Sequence, residues 1–177
     1  KEAEGGSGGL INYSNIYENG IYDSDKYVQQ GKNGAGMTVA VLDTGLDYTH
    51  EAFSASQLEE DSALAYTYDD LREKMSEVEF RATSRIGATA ADVYVSEKVP
   101  FAFDYADSDA DVYPSYSQHG THVAGIVAGK ADGYTDKEGN EAVDKDGNKL
   151  KFRGVAPEAQ LVICKVFTDN LDDEGLG

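Results

Sequence analysis

The chain has 177 residues, with 33 Asp and Glu against 15 Lys and Arg, and a formal net charge of −18. That balance excludes nucleic acid and anionic membrane surfaces as partners, because both would repel it. The single cysteine, Cys164, excludes a disulfide framework, and no apolar run is long enough to imply membrane insertion.

The first nine residues, Lys1-Glu-Ala-Glu-Gly-Gly-Ser-Gly-Gly9, read as a flexible polar leader, and residues 1–33 as a lead-in to the folded part. Met37-Thr-Val-Ala-Val-Leu42 is a continuous apolar run, which suits a parallel strand buried on both faces. Strands of this kind deliver functional groups at their carboxyl ends. Asp43 stands at that end, and Gly45 lets the chain turn away. Taken alone, Asp43 reads equally well as a turn cap.

Farther along, Asp69–Phe80 has helical character, with Leu71, Met75 and Val78 at i, i+4 and i+7. A second strand is expected at 99–104. Asp107, Asp109 and Asp111 alternate, and Asp144-Lys-Asp146-Gly-Asn148 is a second acidic stretch, so both admit a calcium reading. The second lacks the glycine and glutamate spacing of an EF-hand loop. Lys-Glu-Gly-Asn140 and Lys-Asp-Gly-Asn148 read more simply as turns bordering a hairpin.

Between these stretches lies His119-Gly-Thr-His-Val-Ala-Gly-Ile-Val-Ala-Gly129. Each glycine costs a helix about 1 kcal/mol relative to alanine, so only tight packing makes helix sensible here. The segment is therefore expected to run through the core, with His119 held rigidly at its mouth, as a catalytic base must be. His122 reads as a core histidine. A metal site on His119 and His122 is disfavoured, since the pair lacks the glutamate and four-residue spacing of H-E-x-x-H. Leu161-Val-Ile-Cys-Lys-Val-Phe167 closes the pattern as a strand at 160–167, with Cys164 a small buried hydrophobe.

With Val41-Leu-Asp43-Thr-Gly45, Asp47 and His50, then the His119–Gly129 block, then Gly154-Val-Ala-Pro157-Glu-Ala-Gln-Leu161, in that order, the chain resembles the subtilisin-like serine proteases. The resemblance implies an α/β fold, the N-terminal portion of a doubly wound, mostly parallel sheet with helices on both faces. It implies Asp43 and His119 as the aspartate and histidine of a Ser-His-Asp triad, Thr121 and His122 as seats for the helix, and His50 as structural. The implied reaction is hydrolysis of a polypeptide substrate by acyl transfer, with the histidine moving the proton. No cofactor is required. Structural calcium, which many relatives carry, is admitted, although Ala52 stands where relatives with a strong site usually have aspartate.

None of the twelve serines has the glycine-flanked elbow a nucleophile needs. Residues 34–177 are therefore expected to be the N-terminal part of a catalytic domain, partnered by a C-terminal part that carries the serine. Lys1 is expected to be a mature N-terminus. Asp43 and His119 stand 76 positions apart, and residues 57–98 read as an insertion, accessory rather than part of the central sheet. That insertion, with Lys98-Val-Pro-Phe-Ala-Phe-Asp-Tyr-Ala-Asp107, is similar to the lactocepin-type cell-envelope proteinases, which implies a secreted or wall-attached protein of a Gram-positive bacterium. Competing classes are a non-catalytic subtilase-like adhesion module and a metal-dependent hydrolase.

Overall fold

The computed structural model describes residues 33–77, 86–131, 133, 135, 139–143 and 146–170. Residues 1–32 of the lead-in, Val78 of the expected helix and the last seven residues lie outside these.

Three parallel strands form the central sheet: β1 (Thr38–Asp43), β2 (Phe101–Asp104) and β5 (Gln160–Lys165), in the order β1-β5-β2. All three expected strands are present, each shorter by one to two residues at an end. The register pairs Thr38 with Gln160 and Asp43 with Lys165 on one side of β5, and Asp104 with Lys165 on the other. Lys165 is thus flanked by two aspartates at the carboxyl ends of its neighbours. A two-stranded antiparallel sheet, β3 (Lys130–Ala131) with β4 (Phe152–Arg153), lies outside the main sheet. Antiparallel bridges Thr135–Glu141 and Val143–Lys149 belong to the hairpin region expected from the two Gly-Asn turns.

Side-chain alternation gives the sheet two different faces. On one, Val41, Ala102, Leu161 and Ile163 pack with Leu46, Phe53, Ala124 and Ala128, the last two from helix α3 (His119–Ala128). On the other, Phe101 and Phe103 pack with Leu71 and Met75 of α1 (Tyr68–Glu77) and with Ala90 and Val93 of α2 (Ala90–Val93).

The described part of the 57–98 segment adds no strand to the sheet but covers one of its faces. A polar latch holds it there. The Gln160 side chain, fully buried, accepts from the backbone N–H groups of Ala65 and Tyr66 through Oε1 and donates to the carbonyls of Tyr66 and Glu97 through Nε2. Nearby, buried Lys98 donates to the carbonyls of Pro157 and Ala159, each at 2.7 Å, and buried Lys130 pairs with Glu158 at 2.6 Å.

Helix α3 is less enclosed than its composition suggested. Gly120, Ala124, Gly125 and Ala128 are buried, but His122 is exposed and so, by half, is Ile126. The small residues lie along one stripe that meets β1 and β5, while positions 122 and 126, four apart, share an open face. The core role expected for His122 is not what the structure shows. Cys164 is half-buried on the sheet, and burial raises its thiol pKa.

Candidate active site

The candidate site lies where β1 ends and α3 begins. Asp43 is the last residue of β1, and its carbonyl accepts from the Val166 N–H across the sheet, which fixes the strand end against β5. Its side chain, 15% exposed, places Oδ1 2.8 Å and Oδ2 3.0 Å from His119 Nδ1. Oδ1 also accepts the Thr44 backbone N–H at 2.7 Å. Burial alone would raise the Asp43 pKa, but the hydrogen bonds from His119 and Thr44 outweigh it and hold the carboxyl below its ordinary value. A carboxylate kept ionised against one ring nitrogen fixes the imidazole's orientation and places its proton on Nδ1. The His119 side chain is 68% exposed, so the remainder of the ring is open to solvent.

Small residues make this approach feasible. A Cβ at Gly120 would fall 2.3 Å from the Gly45 carbonyl oxygen and 3.1 Å from the Asp43 Cβ, so only glycine lets α3 begin here. Gly45 itself has φ +107 and abuts the Val112 carbonyl, which accepts the Leu46 N–H. Thr44 joins the two segments: its hydroxyl donates to the Ser117 carbonyl and accepts from the Gly120 N–H. In the same first turn Thr121 accepts the Asp47 N–H through Oγ1. His50 acts locally, its Nδ1 accepting the Ala52 N–H at the start of a 3₁₀ turn, Glu51–Phe53. The geometry brings Asp43 and His119 together, while His122, exposed on α3, makes no hydrogen bond to either.

Residues 34–175 match the model of the Subtilase family. The chain belongs to that family. Among curated proteins, this subtilase is 34% identical over 139 residues to the PII-type proteinase of Lactococcus lactis subsp. cremoris, covering 77% of the chain and 6% of that protein. It is 35% identical over the same length to the PII-type proteinase of Lacticaseibacillus paracasei. To the C5a peptidase of Streptococcus pyogenes it is 29% identical over 138 residues, 78% of the chain and 10% of that protein. The chain thus spans a tenth or less of the length of the curated relatives it matches.

The carboxylates of the acidic loop in this subtilase accept local backbone N–H groups. Asp104 Oδ1 accepts the N–H groups of Ala106 and Asp107, Asp109 Oδ1 that of Asp111, and Asp111 Oδ1 that of Tyr113. These carboxylates are spent on successive Asx turns, and among the described residues no three acidic, His or Cys side chains converge as metal ligands.

Sequence reading did not anticipate a second polar centre beside the pair. Buried Lys165 sets its Nζ 2.7 Å from Asp104 Oδ2 and 2.9 Å from Asp169 Oδ2. The available signal was a lysine ending an otherwise apolar strand. Such a residue must find acceptors for its ammonium if it is buried.

Proposed function

We propose that this subtilase chain supplies the aspartate and histidine of a Ser-His-Asp endopeptidase whose serine lies on polypeptide beyond these residues. His119 takes the serine proton as the hydroxyl attacks a substrate carbonyl and returns it to the leaving amine, while Asp43 stabilises the imidazolium. The observation that carries this reading is the Asp43 carboxylate at 2.8 and 3.0 Å from His119 Nδ1 at a strand end. Among the described residues no serine hydrogen-bonds the His119 ring, whose bonds go to Asp43. The nearest in sequence, Ser117, uses its Oγ to accept the His119 backbone N–H.

A partner segment is supported by what the sheet leaves uncovered. β1 is an edge strand, and Met37 and Leu42 are 61% and 62% exposed. An open parallel edge with apolar residues wants a further strand and cover. The substrate is polypeptide. Relatives from Lactococcus, Lacticaseibacillus and Streptococcus support a secreted or wall-attached protein, and among the described residues no helix is long and apolar enough to cross a membrane.

The test is made on the intact protein. His119→Ala is expected to lower turnover by about 10⁶ and Asp43→Ala by about 10⁴, magnitudes that come from subtilisin and not from this chain. His122→Ala should have a small effect. A fluorophosphonate probe should label downstream polypeptide and never this 19.1 kDa chain. Label on the chain, or full activity in His119→Ala, defeats the proposal. If no serine on the intact protein reacts, the protein is a binding module instead.

A further inference from the structure

The segment that leads into α3, Tyr113–Gln118, has apolar support only at its start, where Pro114 is buried and the Tyr113 ring meets Tyr48 edge-on; beyond that Tyr116 is 73% exposed. Yet its course sets where His119 begins. Two polar attachments hold it. On one side Thr44 donates to the Ser117 carbonyl. On the other, a single carboxylate takes two consecutive backbone N–H groups: Asp169 Oδ2 accepts from Ser115 at 2.9 Å and Oδ1 from Tyr116 at 3.1 Å.

Asp169 is itself fixed. Its side chain is 16% exposed, and Lys165 Nζ, 4% exposed, reaches its Oδ2 at 2.9 Å. Asp107 closes the turn behind it, accepting the Thr168 hydroxyl at 2.5 Å and the Asp169 N–H at 3.4 Å. Burial would raise the Asp169 pKa, but the Ser115 N–H and the Lys165 ammonium keep it below its ordinary value, so it stays ionised and an acceptor at neutral pH. Lys165 is paired in register with Asp43, so the cation that fixes Asp169 rides on the same strand that fixes the dyad's carboxylate.

We propose that Asp169, held by Lys165, is a positioning residue for His119: it pins Ser115 and Tyr116 so that α3 starts with the ring in line with Asp43. The proposal rests on the reading of His119 as the triad histidine. A histidine misplaced by about 1 Å loses on the order of 10²-fold in rate, because alignment and not affinity is what suffers.

The experiment compares Asp169→Ala, Asp169→Asn and Asp70→Ala in the intact protease. Asp70 accepts from Thr67 at the start of α1, remote from the dyad, and reports a loss of stability alone. The readings are kcat, KM and the far-downfield proton signal of the His119–Asp43 hydrogen bond, all well below each variant's melting temperature. Asp169→Ala should lower kcat 10- to 100-fold with KM within twofold, and should broaden or remove the downfield signal. Asp169→Asn, which keeps one acceptor oxygen, should lose less. Asp70→Ala should leave both readings unchanged.

Unchanged kcat and signal in Asp169→Ala overturn the proposal. So does a loss confined to KM, or one that Asp70→Ala reproduces in proportion to its melting temperature. Should the alanine variant fail to fold, Asp169→Asn is judged by the same criteria. An active His119→Ala variant would instead remove the underlying reading, whatever Asp169 does.

Discussion

At the scale of single residues, the dyad and the reason it can form are separate matters. That Asp43 ends a strand and His119 opens a helix was legible from local patterns, whereas their pairing came from the order of the motifs in the resemblance. Gly120 was legible only as a poor helix former. Its actual duty, omitting a Cβ that would fall 2.3 Å from the Gly45 carbonyl oxygen just past β1, depends on a contact between distant segments. Lys98 was not legible at all, since nothing in Lys98-Val-Pro says that the ammonium is enclosed. Burial lowers its pKa to about 8, with Glu158 raising it in part and Lys130 lowering it. The unfolded chain keeps this lysine near its ordinary 10.5, so between about pH 8 and 10.5 the unfolded state binds more protons and stability rises with pH. Denaturant melts of the intact protein across that window should show the wild type gaining on Lys98→Met as pH increases. A difference that stays flat from pH 7.5 to 10 would show that Lys98 remains protonated in its cage.

Among elements, the strands were well read because each is a short apolar run bounded by glycine, proline or charge. Helix α1 was read from Leu71 and Met75, both of which meet the sheet, one buried and the other partly so. The described part of the 57–98 segment did not announce that it covers Phe101 and Phe103, since its few apolar residues sit among charges and only packing shows which surface they meet. Its attachment runs through Gln160. Replacing Gln160 with alanine leaves the part-buried Ala65 and Tyr66 N–H groups without their acceptor, at about 1–3 kcal/mol for each. The expected outcome is a destabilisation on the order of 3 kcal/mol in equilibrium unfolding, with limited proteolysis cutting first within 57–98. Activity measured below the melting point should persist, because this segment and α3 lie on opposite faces of the sheet. Cleavage that begins elsewhere would show that the latch is not what holds it.

For the molecule as a whole, the strand order carries a temporal consequence. β5 lies between β1 and β2, yet it is the last of the three to be synthesised, on the order of 120 residues after β1. Neither outer strand pairs with the other, so a nascent chain that has reached β2 has no sheet to join. The carbonyl of Asp43 waits for the Val166 N–H, and the Asp104 carboxylate waits for Lys165. Contacts this distant in sequence fold slowly, because a long loop must close before any pairing repays it. Ribosome-bound chains of the intact protein, stalled so that residues up to about 150 have emerged, should therefore be digested readily throughout 34–131, and protection should appear in one step once residue 166 is clear of the exit tunnel. Gradual protection that begins at β1 would show a sheet growing outward. A middle strand that arrives last makes this stage of assembly nearly all-or-none: the Asp43–His119 pair is aligned by the same event that joins the three strands, and the open edge of β1 is left for later polypeptide to cover.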